Sequence, residues 1–115
     1  MQLATGEYIV CHGGDTTHLH RVCVVGDDGK VTRSYGGERG REVGQLDHPR
    51  YLAVDNDSQF IFVADEINCR VVLLSPTLEF VRSIDGLSRP QRLYFHQTTQ
   101  RLFIGHEGDV TIIQL

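Results

Sequence analysis

What the 115-residue sequence has little of narrows its class first. Alanine occurs three times (Ala4, Ala53, Ala64) and lysine once (Lys30), whereas valine, isoleucine and threonine together number 27. A chain poor in alanine and rich in β-branched residues favours strands over helices, and no stretch sustains a 3.6-residue period. The longest apolar runs, residues 60–64 and 71–74, fall far short of the ~18 residues that a membrane-spanning helix needs. No membrane partner is therefore expected. The start, Met-Gln-Leu-Ala-Thr-Gly, has neither a basic n-region nor an apolar h-region, so no secretory signal is read and a cytoplasmic location is expected. Three cysteines, Cys11, Cys23 and Cys69, are an odd number and make a poor disulfide framework, which points to reduced thiols. Glycine and proline, at 12 and 3 residues, are too scarce for a low-complexity linker. A net charge of −4 builds in no long-range attraction to phosphate backbones.

What is there reads as strands. Short runs fitting strands occupy residues 8–11, 22–25, 31–35, 51–54, 60–64, 71–74, 80–84, 93–95, 101–104 and 110–113, separated by turn-forming residues such as Gly26-Asp27-Asp28-Gly29 and Asp55-Asn56-Asp57-Ser58. An internal repeat organises them. Residues 49–55, Pro-Arg-Tyr-Leu-Ala-Val-Asp, recur 41 residues later as Pro-Gln-Arg-Leu-Tyr-Phe-His at 90–96. The same register lays 59–66 over 100–107 without a gap, and 70–74 over 111–115. A third copy precedes both: residues 8–12 match 61–65, and 21–36 match 70–85, with about four extra residues near Gly13 to His18. A period near 41 with four strands per unit is the pattern of propeller blades.

The best unit reads Gly44-Gln45-Leu46-Asp47-His48-Pro49-Arg50-Tyr51-Leu52-Ala53-Val54-Asp55, then Ile61-Phe62-Val63-Ala64-Asp65 and Asn68-Cys69-Arg70-Val71. It resembles the NHL-repeat β-propeller family. Flanking units depart from the pattern: Gly105-His106 replace Ala-Asp, and no Asn precedes Arg21. The resemblance implies an all-β, partial propeller of about 2.5–3 four-stranded antiparallel blades. Counting strands outward as A to D, residues 1–43 form a blade lacking its inner strand, 44–86 a complete blade, and 87–115 a blade lacking its outer strand. The smallest ring needs about 164 residues at this period, so this chain does not close alone. Ending after strand C at Leu115 suits a ring closed by an N-terminal strand, and starting inside a blade suggests upstream blades; a five-bladed homodimer is the alternative.

The resemblance further implies a protein-recognition module, similar to the C-terminal, substrate-recruiting blades of tripartite-motif ubiquitin ligases, with no catalysis and no cofactor of its own. Alternatives from the similar family are a single-stranded RNA binder and a fragment of a propeller metallohydrolase. Blade connectivity would gather segments 12–20, 36–50, 65–69, 85–91 and 106–109 on one face. The partner-binding residues expected there are Arg39, Arg41, His48, Arg50, Glu66, Arg89 and His106, with exposed Arg39 and Arg41 foremost. Four arginines meet nine carboxylates in these segments, which disfavours RNA. The histidines His12, His18, His20, His48 and His106 invite a metal or pH-sensitive rim, and Cys11, His18, His20 and Cys23 a zinc site, but no Cys-x2-Cys knuckle is present and no metal is expected. The glycine run 36–44 lacks the Gly-Lys-Ser/Thr ending of a phosphate loop and reads as an inter-blade linker. Asp55, Asp65, Asn68, Arg70 and the repeat-motif prolines Pro49 and Pro90 read as structural, the Asx side chains capping turns. No Gly-x-Ser-x-Gly, His-Glu-x-x-His or Cys/His nucleophile pair is read.

Overall fold

A computed structural model describes residues 1–115. The chain is all-β, with ten strands: β1 (Tyr8–His12), β2 (Leu19–Val25), β3 (Val31–Glu38), β4 (Pro49–Val54), β5 (Ile61–Asp65), β6 (Arg70–Leu74), β7 (Phe80–Ile84), β8 (Pro90–His96), β9 (Arg101–His106) and β10 (Asp109–Gln114). Every pairing is antiparallel between chain neighbours, giving sheets β1-β2-β3, β4-β5-β6-β7 and β8-β9-β10 that do not close on one another. No helix is long and apolar enough to cross a membrane.

Neighbouring sheets repeat each other down to irregularities of the backbone. A bulge falls between Val24 and Val25 where β2 meets β3, and between Leu73 and Leu74 where β6 meets β7. A second interrupts β4 between Pro49 and Tyr51, and β8 between Pro90 and Arg92. Left-handed backbone recurs with the same period, at His48 (φ 58°) and Arg89 (49°), and at Gln59 (62°) and Gln100 (57°). Such φ values are uncommon outside glycine, so their recurrence marks a repeated backbone.

Alternation along β5 explains why the middle sheet is buried on both sides. Ile61 and Val63 join Ile9, Val22 and Val24 of the first sheet in one core, with Val72 and Leu74 beside them. Phe62 and Ala64 turn the other way, into a second core with Leu93, Leu102 and Ile104 of the third sheet. The outer faces of the first and third sheets pack against nothing in the chain.

The structure corrects two details of the sequence reading. First, β3 runs through Glu38, so Gly36 and Gly37 belong to a strand, opposite Arg21 and His20; the linker starts only after them. Second, the 41-residue register does not hold through β10. Asp109 stands opposite His106 as Arg70 stands opposite Asp65. The reason is a two-residue turn, Glu107-Gly108, in which Gly108 takes φ 80°. The first sheet has three strands, with one isolated bridge at its inner edge. Met1 accepts from the Ile9 amide, the Leu3 amide donates to Glu7, and Gln2 bridges Tyr8, which places residues 1–3 beside β1 where β4 stands beside β5.

Candidate functional site

The segments 12–20, 36–50, 65–69, 85–91 and 106–109 are joined at one end of the sheets by direct contacts. The Glu66 amide donates to His48, Ile67 to Asp47, Leu87 to Cys69 and Glu107 to Ser88. Three polar clusters sit there.

Asp65 anchors the first. Fully buried, it accepts from the Asp47 amide (2.7 Å), Asn68 Nδ2 (2.9 Å) and Arg70 Nε (2.7 Å). Burial pushes its carboxyl up, against the pull of these donors. Arg70 spends its other nitrogens on the carbonyls of Arg41 and Gln45, and Asn68 donates to Gly40. These side chains hold the 39–48 linker against the middle sheet. Asp55 caps its own turn through the Asp57 and Ser58 amides and takes Gln97 Nε2 at 2.6 Å from the next sheet. Burial opposes its ionisation, but these donors hold its carboxyl below the ordinary value.

The second cluster joins His20, Asp47, His48 and Asp15. His20 lies in β2 with no exposed surface, so it is no part of a surface rim. Its Nδ1 accepts from the His48 amide (2.8 Å) and its Nε2 lies 3.0 Å from the Thr17 carbonyl, which requires the neutral Nε2–H tautomer. His48 is held between two carboxylates, Nδ1 to Asp47 (2.7 Å) and Nε2 to Asp15 (2.7 Å). The Asp47 bond foremost, then Asp15, raise its pKa against some desolvation. His20, Asp47 and His48 lie close enough for metal ligands, yet the His20 lone pair is aimed at an amide proton that a metal would have to displace. The zinc set that the sequence invites and the missing Cys-x2-Cys knuckle disfavours, Cys11, His18, His20 and Cys23, is not brought together. Burial raises the Cys11 and Cys23 thiols, away from the thiolate that binds zinc.

Cys23 does approach a histidine, which the sequence did not reveal: His12 Nε2 lies 3.8 Å from its sulfur. That pair makes no nucleophile. Arg21 Nε donates to the same His12 nitrogen at 2.8 Å, and desolvation first, then Arg21 and His20, lower the His12 pKa.

Glu66 centres the third cluster. Expected on the binding surface, it is instead buried, with Arg50 NH1 at 3.4 Å, Arg89 NH2 at 3.5 Å and Gln91 Nε2 at 3.0 Å. It holds the arginines and presents no free carboxylate. Arg50 and Arg89 remain half-exposed with donors to spare, and exposed Arg92 stacks over Tyr51 at 5.3 Å. Gln91, Arg92 and Tyr51 escaped the sequence reading, although 50 and 91, and 51 and 92, are the same positions one period apart. Two guanidiniums fanned from one carboxylate, beside a cation–π pair, suit an anionic partner.

Of the other expected contacts, Arg39 and Arg41 are exposed on the linker, whereas His106 is half-buried and bonded to Thr111 Oγ1 at 2.7 Å. Pro49 and Pro90 are buried at the starts of β4 and β8. Because Asp65 and Glu66 are buried and paired, this end of the molecule exposes a smaller acidic surplus than the residue count implies.

No family model and no curated protein matches the chain. Among solved structures it is similar to a protein of unknown function from Bacteroides caccae, with a TM-score of 0.57 and 15% sequence identity, over 89% of this chain and 35% of that one. This chain thus spans about a third of that neighbour's length, and at this identity the likeness is one of fold.

Proposed function

We propose that the chain is part of an NHL-type β-propeller that serves as a protein-recognition module, taking an acidic segment of its partner on the arginine cluster. The propeller reading is supported by three successive antiparallel sheets in which the first shares a bulge with the second, and the second shares another bulge, two left-handed positions and a 41-residue spacing with the third. The binding reading rests on one observation, the buried Glu66 that orients Arg50 and Arg89 while leaving each half-exposed. Arg39 and Arg41 add two exposed cations on the linker. In a tripartite-motif parent, such a module would present its captured partner to a ubiquitin ligase; this chain carries no part in the transfer itself.

Arg92 stacked on Tyr51 also supports a second reading, single-stranded RNA, since basic groups interleaved with aromatic rings suit phosphate and base together. Fluorescence anisotropy separates the two. A labelled Asp/Glu-rich peptide should bind, and the Arg50→Gln/Arg89→Gln double variant, which keeps amide donors beside the buried Glu66, should weaken it at least tenfold, with circular dichroism showing that the variant is still folded. Arg39→Glu/Arg41→Glu should weaken it less. Tight binding of oligouridine with strong salt dependence would move the assignment to RNA. Equal affinity of the wild type and the double variant for the acidic peptide would refute the site.

A further inference from the structure

The repeat states what belongs on the two uncovered sheet faces. In the middle sheet, Ala53, Phe62, Val71 and Leu73 face the third sheet and are packed into the core there. Following the pairings through the third sheet, the same positions are held by Tyr94, Phe103, Val110 and Ile112. They carry apolar side chains too, but Tyr94 is 61%, Val110 60% and Ile112 53% exposed. On the other side, Ile61, Val63 and Leu74 of the middle sheet bury against the first sheet. Their counterparts on the first sheet, by the same pairings, are Tyr8, Val10 and Val25, and Tyr8 and Val10 are 40% and 42% exposed. One end of the molecule therefore carries the face that packs on a following sheet, and the other end the face that packs on a preceding one.

We propose that two copies of this chain associate head to tail, the outer face of β8-β9-β10 of each copy packing on the outer face of β1-β2-β3 of the other, so that six sheets close around a twofold axis. Each junction repeats the interface already built twice within the chain, once between the first and middle sheets and once between the middle and third. A second copy is the occupant because it offers both complementary faces at once, and because area favours closure. Three strands of about six residues cover roughly 14 by 20 Å. One junction of two such faces buries about 560 Å², short of the ~1,000 Å² that a specific interface needs, and closing the pair doubles it. A head-to-tail contact that closes also leaves no free face for further addition.

The test is the mass of the 115-residue chain by light scattering across the micromolar range, with circular dichroism and urea midpoints as controls for folding. The expected mass is twice that of one chain. Tyr94→Glu/Ile112→Glu should give a folded monomer, and so should Tyr8→Glu/Val10→Glu, because each closed pair needs both faces. A folded wild-type monomer at every concentration would overturn the proposal and leave these faces to further repeats of a longer chain. A dimer that survives one of the two double variants would be face-to-same-face and would equally overturn it, as would open polymers.

Discussion

Arg70 reaches three acceptors at once: the buried carboxylate of Asp65 and the carbonyls of Arg41 and Gln45. No other side chain spans that set; lysine, a point charge, would keep the ion pair and lose the fork. Arg70→Ala leaves a fully buried carboxylate without its cation and should cost about 3–5 kcal/mol, read from urea unfolding, with Arg70→Lys recovering only part. His48 gives the second residue-scale prediction. Asp47 foremost, and Asp15 with it, hold its pKa above the ordinary value. Its contribution to stability is complete below about pH 6.5, where the unfolded imidazole is protonated as well, and is lost as pH rises through the raised folded value. The urea midpoint of the wild type should therefore fall as the pH rises above ~6.5, and His48→Gln should flatten that slope. An unchanged slope in the variant would mean that another group carries it.

At the scale of the element, β5 and β3 illustrate opposite degrees of legibility. The run Ile61-Phe62-Val63-Ala64 is legible as a strand because it is short, apolar and bounded by turn residues, and burial on both faces is what such a run demands. Phe62→Ala should cost about 3–5 kcal/mol, a loss measurable by chemical denaturation. The end of β3 is not legible, because Gly36 and Gly37 read as a linker until β2 is placed beside them. Gly36 takes φ 98°, and a Cβ there would lie 2.5 Å from the His20 carbonyl oxygen. Gly36→Ala should destabilise the chain by more than ~1 kcal/mol, whereas Gly37→Ala, whose Cβ meets nothing within 4 Å, should be far milder.

For the whole molecule, the decisive feature is that two cores share one sheet and no residue. Stability in such a stack is close to a sum of unit and neighbour terms, so damage stays local. Leu102→Ala empties part of the second core and should cost about 2–5 kcal/mol. Hydrogen exchange should then speed up across β8, β9 and β10 first, with β1 to β3 still protected. Uniform acceleration across all ten strands would show a single cooperative unit instead. The arginine cluster belongs to this scale as well, since it needs β4, β8 and the β5–β6 turn in place together.

The sequence by itself determined the strand class, ten strand positions and a repeat near 41 residues, because side-chain alternation and turn chemistry are local and survive in one dimension. It also placed Asp65, Asn68 and Arg70 together at a turn. Only the tertiary structure decided that Glu66 is buried between two arginines, that His20 is a core residue with both nitrogens bonded, and that Arg92 meets Tyr51. It also set the two-residue shortening before β10. These depend on which polar groups lose their water and on what stands opposite them, and in each cluster that partner comes from a segment tens of residues away.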